Sequence, residues 1–446
     1  MKLVYNVNDK PKFAQILVFS FQQLLAILAA TIAVPSIIGN GMSQSAALFG
    51  AGVGTIIYLL FTKFKSPVFL GSSFAFIGSM FAAFGGAASA AAGHVGLIIG
   101  AIFAGLVYVI IALVVKFAGV KWINRLMPPV VIGPTVAIIG LSLAGNAVSD
   151  SLKGAYDATA GAFVMTTPVW VSFICAMVTL ITVIICSVYG KKMLKLIPFI
   201  IGILAGYLTA TIFTVIGNAA GIDALKVIDF SVFANMKWVP DFTFMNIGEG
   251  IKAIDAKYIA TLAVAYVPVA FVVFAEHIAD HKNLSSIIES DLLEEPGLHR
   301  TLLGDGVGSA VGAFFGGCPN TTYGESVGCV AITGNASFVT IFTTAIIAIL
   351  ISFFGPFVTF LSTIPACVMG GVCITLYGFI AVSGLKMIQS VDLGENRNLF
   401  VVSTILIAGI GGMAMKIGQI TLTSIACALI LGIIINIIVS KVDKKA

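Results

Sequence analysis

Long apolar runs separated by short polar breaks recur from residue 14 to residue 440. Reading between charges and helix breakers gives fourteen segments, at 14–34, 46–62, 67–84, 96–115, 128–148, 168–188, 194–216, 258–276, 299–316, 318–333, 337–361, 364–384, 398–414 and 418–440. A helix needs about 20 apolar residues to cross a bilayer, and most of these runs reach or approach that length. The pattern predicts an all-α polytopic membrane protein. Residues 1–13 are polar, and the first apolar run exceeds the short core of a cleaved secretory signal, so it reads as a span.

Two segments break the helical pattern. The third runs Ser66-Pro67-Val68-Phe69-Leu70-Gly71-Ser72-Ser73-Phe74-Ala75-Phe76, and the tenth runs Cys318-Pro319-Asn320-Thr321-Thr322-Tyr323-Gly324-Glu325-Ser326-Val327-Gly328. Each begins with proline and an extended-looking stretch, meets a glycine and continues as a half-length helical run. Irregular backbone survives at membrane depth only where protein or a polar cavity satisfies its amides. A pair of such segments at corresponding places in two halves points to a transporter binding site. Here each is third of seven. An odd number of segments per half forces the two repeats into opposite orientations, which predicts an inverted seven-plus-seven architecture with the broken segments meeting near the midplane. The bland alternative is two loops that happen to contain Gly and Pro.

Composition agrees with the segment pattern. The chain is 59% hydrophobic and 10% charged, with a mean hydropathy of +1.10, whereas soluble domains carry roughly a quarter charged residues. With the N-terminus placed inside, 18 of the 24 Lys and Arg residues fall on the cytoplasmic side. The other six are Lys153, Lys226, Lys237, Lys252, Lys257 and Lys416, mostly in long outer loops where the positive-inside rule has least force. Both termini are therefore expected in the cytoplasm. The net charge of +5 records this bias and implies no nucleic-acid partner. The seven cysteines lie in or beside apolar segments without a CxxC pair, so they read as core residues rather than a disulfide framework or thiolate metal site.

Carboxylates inside the membrane carry the next signal. Most Asp and Glu fall in loops. Glu276, however, ends an apolar run, and Glu325 follows the glycine of the tenth segment. An unpaired carboxylate costs several kcal/mol at membrane depth, so each should face a cavity, a partner or a ligand. For Glu276 a cytoplasmic helix end is the equal alternative, because His277, Asp280, His281 and Lys282 follow at once. Asp280 lies four residues on, on the same helix face. His277 and His281 also stand at a zinc-compatible spacing, but His94 and His299 stand alone near segment ends and no third ligand is evident, so no metal is expected. Ser72, Ser73 and Ser326 lack a base and orienter, and no enzyme is expected.

Several long motifs resemble those of the nucleobase–ascorbate transporter family, and within it the bacterial uracil permeases. They are Phe274-Ala275-Glu276-His277-Ile278-Ala279-Asp280-His281, Pro296-Gly297-Leu298-His299-Arg300, Pro319 to Glu325, and Leu70 to Phe76, in the family's order and spacing. The resemblance spans nearly the whole chain. It implies that Glu276 and Glu325 face a nucleobase, that the backbone N–H groups of Phe74 and Gly324 meet its carbonyls, and that Tyr323 and Phe74 pack near the ring. Ser73, Gln23 and Ser326 would support this site. Where relatives carry Asn after the tenth-segment acid, this chain has Ser326; where they carry Gln-His in the first segment, it has Gln22-Gln23. The position of Asp280 varies between His and Asp in the family. Purine-transporting members typically carry Gln in place of Glu325, so uracil is favoured over xanthine or urate.

The resemblance also implies a core domain (1–127 and 258–362) and a gate domain (128–257 and 363–446) that move against each other. No cofactor is expected. Protons are the expected coupling ion, taken up near Glu276 and Asp280, because a low-dielectric cavity favours the protonated form of a carboxylate. Sodium is less favoured, since no cluster of neutral oxygens is evident. An anion exchanger or channel of the same fold should lack the buried Glu pair. The expected partners are the nucleobase and the lipid bilayer of the cytoplasmic membrane. Gly202 to Gly206 and the row Gly304, Gly308, Gly312, Gly316 indicate close helix packing, the row within the subunit against the tenth segment. A homodimer is compatible with this pattern.

Overall fold

The computed structural model describes residues 3–119, 122, 127–153, 156–191, 193–417 and 420–442. Lys2, Lys121, Arg125, Lys192, Lys444 and Lys445, all counted on the cytoplasmic side above, lie outside the described residues, as do the first two residues of the fourteenth predicted segment.

The chain folds into helices α1 (Phe13–Ile38), α2 (Gln44–Phe61), α3 (Ile77–Gly86), α4 (Ala90–Ala118), α5 (Pro129–Ser142), α6 (Ala144–Ser151), α7 (Thr167–Tyr189), α8 (Pro198–Ala220) and α9 (Ala256–Ile288). They continue as α10 (Leu298–Gly316), α11 (Gly324–Thr333), α12 (Phe338–Ile351), α13 (Gly355–Ser362), α14 (Ala366–Ile388), α15 (Asn396–Ile410) and α16 (Ser424–Val442). Among the described residues, three two-stranded antiparallel pairs interrupt them: β1 (Leu70–Ser72) with β4 (Asn320–Thr322), β2 (Tyr156–Asp157) with β3 (Ala162–Phe163), and β5 (Met415–Ile417) with β6 (Ile420–Leu422). Among the described residues, eight helices are long and apolar enough to cross a membrane, counting α5 with α6. The count rises to nine if α12 and α13, bent by 84° at their junction, form one span.

Helix starts follow local chemistry. Ser43, Ser89 and Asp255 each accept a bond from an amide of the first turn of α2, α4 and α9, satisfying donors that have no partner inside the helix. Pro129, Pro168 and Pro198 open α5, α7 and α8, where a missing N–H costs nothing.

Several predicted segments differ from the structure. The eighth does not end at residue 276: α9 continues twelve residues further, because His277 and His281 find buried partners while Asp280 and Lys282 lie on other faces. Segment eleven is broken at Ser352–Phe354, segment five at Leu143, and segment fourteen begins as a strand rather than a helix at 420–422.

Small residues decide which helices approach closely. A methyl group added at Gly50 or Gly54 of α2 would strike the backbone of Gly312 or Gly308 of α10, and one at Gly105 of α4 would strike Gly306. The row Gly304, Gly308, Gly312, Gly316 therefore packs mainly on α2; only Gly312 also meets the tenth segment, through Asn320. This corrects the expectation that the row faces the tenth segment. A second set of close approaches joins α5 to α14 through Gly133, Gly140 and Gly384, and α7 to α8 through Gly202 and Gly206.

Two further contacts link distant parts of the chain. The N-terminal residues form a strap across the turn between α11 and α12: Val4 N–H donates to Gly334 O (2.8 Å), Ala336 N–H to Tyr5 O (2.9 Å) and Phe338 N–H to Val7 O (3.0 Å). Ser337 Oγ adds a bond to Asp9 O at 2.6 Å. At the opposite ends of the helices, the connection after α8 lays Phe242 among Phe49, Phe315 and Phe353, with ring centroids 4.9, 5.8 and 6.3 Å away.

Candidate functional site

The two broken segments meet. β1 and β4 pair in the register Leu70–Thr322, Gly71–Thr321 and Ser72–Asn320, and each strand leads to a ten-residue half-helix, α3 or α11. Short strands at membrane depth need partners for their amides, and several are supplied around this crossing. Ser73 N–H donates to Pro319 O, Tyr323 N–H to Phe69 O, Leu70 N–H to Thr55 Oγ1, and Phe69 N–H to Ser326 Oγ. Asn320 Nδ2 donates to Gly50 O at 3.0 Å. The half-helix α3 is fixed to α9 by Ser79 Oγ donating to Ala265 O at 2.7 Å and by Phe76 stacked on Tyr266.

Gly71 is required by this packing. Its missing side chain is the space occupied by the Tyr323 ring, whose hydroxyl donates to Ser72 O at 2.8 Å. The Gly71→Ala variant should lose about 1–3 kcal/mol to overpacking, read as a lower melting temperature and lower yield of folded protein in detergent.

Helix α9 carries different chemistry on two faces. Glu276 and Asp280 line a cavity of about 350 Å³ together with Gly324 and Glu325 at the start of α11. His277 and His281 point the other way and are buried, each 1% exposed. Asp280 Oδ2 accepts from Thr322 Oγ1 at 2.9 Å, tying the helix to the strand crossing. The first amides of α11 have no intrahelical acceptor, and Gly324 is the exposed residue there. The cavity therefore offers carboxylate acceptors and backbone donors side by side. It extends past Ile332, Ser383 and Met387 to Lys195, toward the C-terminal ends of α11 and α14. Its far wall is apolar, with Phe199 of α8 and Phe379 of α14 edge to face at 6.0 Å.

Of the residues singled out in the sequence, the structure brings Glu276, Asp280, Gly324 and Glu325 together on this cavity. Phe74 sits behind it, edge-on to Tyr377 at 5.8 Å; it precedes α3 by three residues rather than starting it. Tyr323, Ser73, Gln23 and Ser326 are buried and lie outside the cavity lining. Gln23 Nε2 donates to Ser326 Oγ at 2.5 Å, so this pair ties α1 to α11 from behind.

Sequence reading missed three features. Asp305 is a third kind of membrane carboxylate, fully buried in α10 and bonded to His277; its lone charge amid a glycine row was the available signal. Lys195 and the Phe199–Phe379 wall come from helices distant in sequence and carried no local mark. His277 and His281 have their ring nitrogens engaged by protein groups, and among the described residues no three His, Cys, Asp or Glu side chains are placed to hold a metal ion together.

Comparison with known proteins gives one answer for the family. The sequence model of the Permease family (Xan_ur_permease) matches residues 14–418. The uracil permease of Bacillus caldolyticus is 40% identical over 98% of this chain and 95% of its own length. That of Bacillus subtilis (strain 168) is 37% identical over 100% and 97%, and that of Escherichia coli (strain K12) 34% over 97% and 93%. In fold, the transmembrane domain of the cyanobacterial bicarbonate transporter BicA superposes with a TM-score of 0.62 at 14% identity, covering 97% of this chain and 100% of that one. SLC26A9 superposes with a TM-score of 0.67 at 11% identity, over 96% and 65%. The apolar helices, the strand crossing and these matches together place the chain in the nucleobase–ascorbate transporter family, as a multi-pass membrane protein related to the uracil permeases.

Proposed function

We propose that this protein imports uracil across the cytoplasmic membrane by proton symport. The observation that carries the reading is the convergence of Glu276, Glu325 and the Gly324 amide on one cavity. Uracil presents two N–H donors and two carbonyl acceptors around a flat ring. Carboxylates suit the donors, and free amides at a helix N-terminus suit the acceptors. A cavity with three carboxylates is a poor site for an anion, which argues against exchange of the kind the bicarbonate-transporter fold supports. The names of the relatives favour the same substrate.

Proton coupling is assigned to Glu276 with Asp280. Both stand on one helix face, and Asp280 lies one turn nearer the open end of the cavity. The 7+7 inverted repeat of fourteen segments is supported by the two equal half-helices and the antiparallel strand pair between them. The division into a core (1–127 and 258–362) and a gate (128–257 and 363–446) is supported by the two separate sets of glycine contacts, α2–α4–α10 and α5–α14 with α7–α8. The cavity acids, on α9 and α11, fall within the core residues, and the Phe199–Phe379 wall, on α8 and α14, within the gate residues. The cavity opens toward the face that carries the strap and the excess of Lys and Arg, so this arrangement is read as inward-open.

Uptake of labelled uracil into proteoliposomes tests the function, with xanthine, urate and adenine as competitors. Saturable uptake driven by an imposed proton gradient is expected, with weak competition by xanthine. Uptake indifferent to the proton gradient, or equal competition by xanthine, would overturn the respective half of the proposal. Orientation has its own test. Reporter fusions after Lys65, Lys192 and Lys444 should read cytoplasmic, and one within 218–257 external; a cytoplasmic reading in that long connection would rule out the fourteen-segment topology.

A further inference from the structure

Behind the cavity, on the opposite face of α9, lies a closed set of hydrogen bonds whose proton positions can be worked out one by one. His281 Nδ1 sits 2.8 Å from the His277 carbonyl oxygen, which can only accept, so that nitrogen carries hydrogen. Its Nε2 then accepts from Tyr58 Oη at 2.6 Å, and Ser66 Oγ, 2.7 Å from the same phenol, donates to it. Thr301 Oγ1 donates to Leu298 O at 3.0 Å. With its one hydrogen on Leu298 O, the hydroxyl is assigned as acceptor from His277 Nε2 at 2.9 Å, the tautomer that carries hydrogen on Nε2.

The remaining contact is His277 Nδ1 to Asp305 Oδ2 at 2.7 Å, with both side chains completely buried. A ring lone pair facing a carboxylate lone pair at that distance has nothing to share and would repel. One proton must lie between them. The imidazole with its Nε2 hydrogen, the carboxylate and this proton sum to zero charge, whichever atom holds the proton. The other oxygen, Asp305 Oδ1, has no hydrogen-bond partner, a situation a net-neutral pair tolerates better than a free carboxylate does.

We infer that His277 and Asp305 form a one-proton, uncharged post that positions Glu276 and does not titrate during transport. Glu276 is the residue next to His277, so fixing the ring against α10 fixes the direction in which the neighbouring carboxylate leaves the helix. Neutrality matters because the pair is surrounded by ionisable groups. Tyr58 of α2 and Tyr108 of α4 flank it, the latter edge-on to His277 at 6.2 Å. Glu276, Asp280 and His281 share its helix, and Glu325 of α11 lies beyond Glu276. A free carboxylate at 305 would add a fourth negative charge behind three in the cavity. A shared proton removes it.

The Asp305→Asn variant separates the possibilities. An asparagine amide can donate to His277 Nδ1 in place of the shared proton, keeping shape, hydrogen bond and net charge. Asp305→Ala leaves Nδ1 unsatisfied. Melting in detergent without substrate should show Asp305→Asn close to the parent and Asp305→Ala clearly lower. Initial uptake of labelled uracil across a pH series should fall less than about threefold in the first and by roughly tenfold or more in the second, the range seen when an orienting partner is lost. The pH profile of Asp305→Asn should overlay that of the parent. If Asp305→Asn melts as low as Asp305→Ala, the one-proton pair is wrong. If it is folded but shifts or flattens the pH profile, the pair titrates in the cycle. The uptake arm rests on the proposed uracil–proton symport; should the parent itself fail to take up uracil, that reading fails and the melting comparison still decides the pair.

Discussion

Glu276→Gln is expected to abolish accumulation of uracil against its gradient. The group is not a helix-end carboxylate: α9 runs on to Ile288, so Glu276 projects from the middle of a continuous helix into the cavity beside Glu325 and Gly324. Glutamine keeps the shape, removes the titrating group and sets an amide donor against a substrate N–H. Binding should weaken by about 1–3 kcal/mol, the cost of a buried polar mismatch, and the proton gradient should no longer drive uptake. Asp280→Asn should spare more binding while still blunting the pH response, because Thr322 Oγ1 can donate to an asparagine oxygen as it does to Asp280 Oδ2. The measurement is uracil binding and uptake at several pH values, in liposomes with and without an imposed proton gradient. Normal, pH-dependent accumulation by Glu276→Gln would move the coupling site elsewhere.

The second large effect is expected at Glu325. It stands in the first turn of α11, where a negative charge is favoured by the helix dipole, and it shares the cavity with Glu276. Glu325→Gln should lose uracil binding by about 1–3 kcal/mol and should gain relative tolerance for xanthine. Folding should be little affected, because the neighbouring Ser326, not Glu325, holds the Phe69 amide and Gln23. Competition assays with unlabelled xanthine on both proteins give the result. An unchanged uracil affinity would remove Glu325 from the substrate site.

How far the sequence could be read depended on whether the signal was local. Pro67 with Gly71, and Pro319 with Gly324, announced broken segments because those residues restrict or free the backbone wherever they occur. The acids at 276 and 325 were legible because charge in an apolar run is conspicuous. The end of α9 was misread for the same reason: a string of His, Asp and Lys looks like a loop until its partners are known, and those partners, Tyr58, Thr301 and Asp305, are supplied by α2 and α10. Asp305 was passed over because its segment is rich in glycine and alanine and its charge is cancelled only by a residue 28 positions away. The Phe199–Phe379 wall and Lys195 depend on how α8 and α14 approach the rest of the molecule, which no single stretch of sequence records.

The strap and the strand crossing set the order in which the protein can be completed. Val4 bonds to Gly334 and Tyr5 to Ala336, so the first residues made wait for a turn encoded about three-quarters of the way along the chain. At roughly 5–20 residues per second of synthesis, that wait is on the order of 15 to 65 seconds. β1 likewise stays without its partner until Asn320–Thr322 has emerged, and during that interval its amides must be shielded by Thr55 and by whatever accompanies the chain into the bilayer. The cavity, lined in part by Gly324 and Glu325 of α11 and Phe379 of α14, is therefore among the last features to close, and a ribosome stalled before the tenth segment leaves a protein with many of its helices and no such cavity.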